Sequence, residues 1–154
     1  MGNSRAAFGV ASYLDPGDST EVTIHIPQDI RDALVAHAFA ELPNEACGLL
    51  AGPDGSIEHF FPMTNADHGR MTYRLDPKEQ IRAFNEIEDK GWELACIFHS
   101  HTHTEAYPSQ TDRNQAFYPD AFYLLVSLSD QDAPVLRGYT IRDGEVSEQE
   151  VTVR

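Results

Sequence analysis

Apolar and polar residues alternate over EVTIHI (21–26), the pattern of a strand with one buried face. After Pro27 the period changes. Ile30, Leu34, Ala38 and Leu42 recur every four residues, which predicts a helix that stops at Pro43-Asn44. CGLLAG (47–52) and IEHFFPM (57–63) are apolar runs joined by the turn residues PDGS, as in a β-hairpin. MTYRLDP (71–77) reads as a further short extended segment. Pro77 opens a second helix through about Lys90, with Ile81, Phe84 and Ile87 inward and Gly91 as its stop. ELACIFHSH (93–101) reads as a strand, followed by a short helix from Ser109 to about Phe117. AFYLLVSL (121–128) is an apolar strand expected at the centre, and the last twenty residues form two strands around an Asp143-Gly144 turn. Strands interleaved with two main helices predict an α/β (α+β) single domain over 21–154, a mixed central β-sheet flanked by those helices. Residues 1–20 read as a flexible tail.

A chain of 154 residues is long enough to bury a core, and 41% apolar with 23% charged residues is ordinary for a globular protein. The net charge of −14 is not ordinary. With 11 basic residues against 25 acidic ones, a partner held mainly through phosphates is disfavoured. Solubility alone accounts for the acidic surface. No apolar run reaches the ~18–20 residues that cross a bilayer. The opening MGNSRAAFGVASYLDPGDST has one arginine and a weak apolar patch, so no secretory signal is expected, and Ala6 stands where a myristoylation site needs Ser or Thr. Cys47 and Cys96 lie in apolar surroundings, which predicts buried, reduced thiols and a cytoplasmic protein.

Candidate chemistry concentrates in HSHTHTEAYPSQTD (99–112). Along an extended chain residues two apart face the same way, so His99 and His101 can aim at one ion while Ser100 turns away. Imidazoles with a carboxylate suit Zn²⁺, and Asp112 offers a third ligand. Each residue also has a plainer role. Two histidines on a strand can simply face solvent. Ser109 and Asp112 have the spacing of a helix cap and its acidic partner, and Glu45 can be an exposed acid near a helix end.

Taken together, His99-Ser100-His101, seven residues, Ser109, two residues and Asp112 resemble the JAMM (MPN-plus) metalloprotease signature. PNEACGLLAG is similar to that family's segment with the essential glutamate, here Glu45. The resemblance runs from about Glu21 to the last strands. It implies the JAMM/MPN fold, which is cytidine-deaminase-like, and one zinc ion per chain on His99, His101 and Asp112. That ion would lower the pKa of a water to roughly 7. Glu45 would move the proton from water to the departing amine, and Ser109 would donate to the oxyanion. His103 falls inside the seven-residue spacer, as a loop residue facing solvent or a contact to substrate. Local geometry alone would also let it bind metal.

The family cleaves after the C-terminal Gly-Gly of ubiquitin-like proteins. The compact form here is similar to the bacterial branch that releases cysteine from a small ubiquitin-like sulfur-carrier protein, in cysteine biosynthesis. A Gly-Gly tail would run against an edge near Met71–Tyr73 or His103–Tyr107, and Phe60, Phe61, Tyr107 and Tyr118 are either a docking patch or core. Other readings are a general ubiquitin-like isopeptidase, a RadC-like protein and a non-catalytic MPN scaffold. HSHTHT departs from the His-Asn-His-Pro-Ser-Gly of the RadC branch, and the scaffolds lack one or more of the five motif residues. A zinc deaminase would need H-x-E and P-C-x-x-C segments, which are absent. No nucleic-acid or membrane partner is implied; a homodimer is compatible with the sequence.

Overall fold

Two strands that run side by side, β4 (Glu93–His101) and β5 (Phe122–Ser127), are buried along almost their whole length and form the middle of the sheet. Burial on both faces explains why β5 reads as an unbroken apolar run rather than an alternating one. In the computed structural model, which describes residues 22–154, five further strands join them. These are β1 (Thr23–Ile26), β2 (Cys47–Gly52), β3 (His59–Met63), β6 (Val135–Arg142) and β7 (Glu145–Val153). The sheet order is β1-β7-β6-β5-β4-β2-β3, so β5 is central, as expected. β1–β7 and β4–β5 pair in parallel and the other neighbours antiparallel, which makes the sheet mixed. The expected tail over 1–20 lies outside the described residues.

Each face of the sheet has its own core. Helix α1 (Gln28–Ala40) packs Ile30, Leu34 and Ala38 onto one face, against Ile24, Leu50, Phe98, Leu124 and Val126. The other face holds Leu49, Ile97, Tyr123, Leu125 and Tyr139 together with Ala83 of helix α2 (Pro77–Asp89). β4 therefore sends Phe98 to the α1 side and Ile97 to the α2 side. By the two-residue period His99 and His101 go with Ile97, and Ser100 goes with Phe98. Gly48 in β2 permits the tight β2–β3 approach, because a Cβ there would collide with the Phe61 carbonyl. Among the described residues no helix is long and apolar enough to cross a membrane.

Several local expectations need correction. Ile81 is 62% exposed. The buried residues of α2 are Ala83 and Ile87, and at 3.6 residues per turn Ile81 lies about 140° around the helix from that stripe. Leu42 lies beyond the end of α1, half-buried. β3 begins at His59, while Ile57 plugs the core from the loop. The third helix, α3 (Gln110–Asn114), stops short of Phe117, where Pro119 follows closely and disfavours helical backbone ahead of it. The segment 71–77 is not a strand; a single bridge joins Asn65 and Leu75. The Asn65 side chain bonds the Thr72 carbonyl and the Arg74 amide, while the Arg74 carbonyl and the Asp76 amide pair with the Ala66 and Thr64 backbone. The closing hairpin has Asp143 and Gly144 both at positive φ, 52° and 80°, as its turn requires. Of the four aromatics named above, Phe60, Phe61 and Tyr118 pack against the two cores, and Tyr107 is exposed.

Candidate active site

The carboxyl end of β4 carries His99 and His101 to the rim of the sheet, and α3 brings Asp112 to meet them. His99 Nε2 lies 2.9 Å and His101 Nε2 3.0 Å from Asp112 Oδ2. All three side chains are buried, and one donor atom from each lies within 4.8 Å of the others. These residues can hold a metal ion. Two imidazole nitrogens and a carboxylate oxygen are a donor set that suits a divalent transition metal such as zinc. His103 is exposed and stands apart from this group, with Nδ1 2.9 Å from the Thr102 hydroxyl.

The surroundings orient each of the three. His101 Nδ1 donates to the Glu105 carbonyl at 2.7 Å, which fixes the ring with Nε2 toward the shared centre. Tyr73 stacks on His99, with ring centroids 4.3 Å apart and planes within 16°. His99 Nδ1 has no hydrogen-bond partner. Asp112 is fixed by a capping box: its backbone N–H donates to Ser109 Oγ at 3.1 Å, and Ser109 N–H donates to Asp112 Oδ2 at 2.9 Å. The cap and a further task for Ser109 are therefore compatible. The hydroxyl oxygen accepts from Asp112, and its hydrogen remains free to donate.

Charge follows from these contacts. Burial alone would raise the Asp112 carboxyl, but hydrogen bonds from His101, His99 and the Ser109 amide hold it well below the usual carboxylate range. Burial lowers the His99 imidazole despite Asp112. Burial also opposes charge on His101, yet its bonds to Asp112 and Glu105 and the charges of Glu45 and Asp112 raise it overall.

Glu45 is 2% exposed rather than a surface acid, and its Oε1 has no hydrogen-bond partner. Desolvation pushes its carboxyl up to about 8, with His101 pulling it down and Asp112 pushing it further up. Two devices hold it beside the histidines. Ser100, on the opposite face of β4, accepts the Ala46 N–H on its hydroxyl at 2.8 Å and donates its own N–H to the Ala46 carbonyl at 3.0 Å. Asn65, itself buried, donates through Nδ2 to the Glu45 carbonyl at 3.0 Å and to the Thr72 carbonyl at 2.9 Å. Its Oδ1 accepts the Asp67 and Arg74 amides at 3.0 and 3.1 Å. The Glu45 N–H in turn donates to Gly69 O at 2.8 Å. Sequence reasoning missed Asn65, Ser100 and Tyr73. The Asn-Ala-Asp-His-Gly run (65–69) is the signal that could have marked Asn65, since asparagine beside Asp and Gly often organises a turn through its side chain.

Comparison with known proteins agrees with the expected family. The model of the prokaryotic homologs of the JAB domain matches residues 27–141. A CysO-cysteine peptidase of Mycobacterium tuberculosis is 48% identical over 136 residues, covering 87% of this chain and 93% of that protein. A desampylase of Haloferax volcanii is 33% identical over 115 residues, covering 70% and 83%. A solution structure of a Desulfitobacterium hafniense protein is similar with a TM-score of 0.78 at 36% identity, covering 85% of this chain and 92% of that one. The mixed sheet with its buried His-His-Asp group is thus a JAB fold, and this chain belongs to the prokaryotic JAB-domain family, as a JAB-type peptidase.

Proposed function

We propose that this protein is a zinc-dependent amidase that cleaves after the C-terminal Gly-Gly of a small ubiquitin-like sulfur carrier and releases cysteine. The observation that carries the reading is the placement of a buried, unpartnered Glu45 carboxyl in one cavity with His101 and Ser109, beside the His99-His101-Asp112 group. The 48% identity to a CysO-cysteine peptidase supports cysteine as the released group. In this reading His99, His101 and Asp112 hold the zinc, and Glu45 and Ser109 are catalytic.

When bound there, zinc supplies Lewis acidity, worth several kcal/mol of charge stabilisation and enough to acidify the attacking water. Glu45 takes a proton from that water as its oxygen bonds to the glycine carbonyl carbon. It hands the proton to the nitrogen as the C–N bond breaks, and the new carboxyl gives up the second water proton to the released amine, leaving a carboxylate on the carrier and an ammonium group on the departing amino acid. A carboxyl that burial has moved toward neutrality can both take and give a proton, a service worth about 10²- to 10⁴-fold. Ser109, with its hydroxyl hydrogen uncommitted, donates to the oxygen that gains charge, contributing about 3 kcal/mol. Cysteine biosynthesis in the cytoplasm fits the two free, buried thiols.

The desampylase likeness favours a second reading, a general isopeptidase on ubiquitin-like conjugates. Intact-mass analysis of two Gly-Gly-tailed carriers separates them, one bearing C-terminal cysteine and the other an isopeptide-linked lysine. Loss of cysteine alone, blocked by a chelator, is the expected result; cleavage of the lysine adduct alone refutes the proposal. Glu45→Gln is expected to keep its zinc by elemental analysis and to lose at least ~10²-fold in rate. A wild-type rate in that variant would remove Glu45 from the mechanism.

A further inference from the structure

The cavity beside Glu45 carries a cation that hydrolysis itself does not require. It has a volume of about 310 Å³, and Arg70, Met71 and Thr102 line it together with Glu45, His101 and Ser109. Arg70 is exposed and makes no ion pair among the described residues. Arg31, Arg74, Lys90 and Arg137 each pair with a carboxylate, and Arg70 is among the basic residues that do not. Its backbone is nevertheless held. The Thr102 hydroxyl donates to the Arg70 carbonyl at 3.3 Å and accepts from His103 Nδ1 at 2.9 Å, while Asn65 secures Thr72 two residues on. A held backbone thus places Arg70 on the wall of the cavity that Glu45 also lines.

We propose that Arg70 recognises the free α-carboxylate of the amino acid that leaves. The inference rests on the reading above, in which the departing nitrogen receives its proton from Glu45. When that nitrogen is the α-amino group of a terminal amino acid, its carboxylate carbon lies only about 2.5 Å away, two bonds along. A cation in the same cavity as Glu45 is then within reach, and a guanidinium matches a carboxylate through two parallel hydrogen bonds. When the nitrogen is the ε-amine of a lysine, methylenes occupy that position and Arg70 gains nothing. The residue therefore sets specificity: it favours removal of a single terminal amino acid over cleavage of an isopeptide.

The test uses the full-length, zinc-loaded protein and one Gly-Gly-tailed carrier joined to cysteine, to cysteinamide or to the lysine ε-amine. Wild type is expected to prefer cysteine over cysteinamide by ~10- to 100-fold in kcat/KM, the range of a charge-assisted hydrogen bond. In Arg70→Gln that ratio is expected to collapse toward one with an unchanged melting temperature, and Arg70→Lys is expected to restore part of it. Equal treatment of cysteine and cysteinamide by wild type overturns the proposal. So does an equal loss on all three conjugates in Arg70→Gln, which would mean that the cation docks on the carrier body. A wild-type protein that cleaves only the lysine conjugate refutes the parent reading instead, and the role of Arg70 falls with it.

Discussion

Replacing Asn65 with alanine removes four hydrogen bonds of 2.9–3.1 Å from a side chain that is only 2% exposed. A hydrogen bond contributes about 1 kcal/mol net, and a buried group left without a partner costs about 1–3 kcal/mol. Asp67 and Arg74 are exposed, so water can reach their amides and soften the loss there. The carbonyl of buried Glu45 has no such relief. The expected destabilisation is therefore about 2–4 kcal/mol, measured as a shift in urea midpoint at constant slope. Asn65→Asp keeps the shape and the acceptor but aims a carboxylate oxygen at two carbonyls, so it is expected to destabilise at least as much at neutral pH. Both variants should also slow cleavage, because the 69–72 backbone and the Glu45 carbonyl lose a common anchor. A loss below ~0.5 kcal/mol in both, the size of an ordinary surface change, would refute the claim that Asn65 organises the segment.

Other outcomes follow from the same geometry. Asp112→Ala is expected to abolish metal retention in equilibrium dialysis with elemental analysis, since it removes the carboxylate shared by both histidines; zinc held at wild-type stoichiometry would refute the assignment. His103→Ala is expected to keep its metal, and loss would mean that the spacer histidine is a ligand after all. Burial pushes the Cys47 thiol up to about 12, with Glu41 and Glu79 adding to it, and burial alone raises Cys96 as well. Neither should react with a thiol-specific disulfide reagent at pH 8 in the folded protein, since the thiolate is the reactive form, while both should react in denaturant. Rapid labelling of the native protein would refute their burial.

The elements most legible in the sequence were those in which one periodicity dominates. The spacing of Ile30, Leu34 and Ala38 placed α1, and Asp143-Gly144 placed the last turn, because each reflects a local preference. The His-x-His pair was legible for a similar reason: the strand's alternation alone sends His99 and His101 to one face. Ile81 misled because spacing of three drifts around a helix, and only the tertiary neighbours decide which apolar residues lie inside. The 71–77 segment looked like a strand because its partners, the Asn65 side chain and a few backbone groups of 64–66 rather than a continuous strand, leave no periodic trace. Glu45 presented the same problem. Nothing in PNEACG marks it as buried; Ser100, 54 residues away from Ala46, does that.

That rung between Ser100 and Ala46 has an evolutionary consequence. It ties the Glu45 segment to the strand of His99 and His101 through the body of the sheet, whereas Arg70, Met71 and His103 sit on connecting segments. With the roles proposed above, reactivity and substrate preference belong to separable pieces. If Arg70 reads the leaving group as proposed, drift within 64–75 can explore new leaving groups without dismantling the His-His-Asp group, provided that Asn65 and the Tyr73 that stacks on His99 are retained. A family built this way can diversify its substrates while its reaction stays the same.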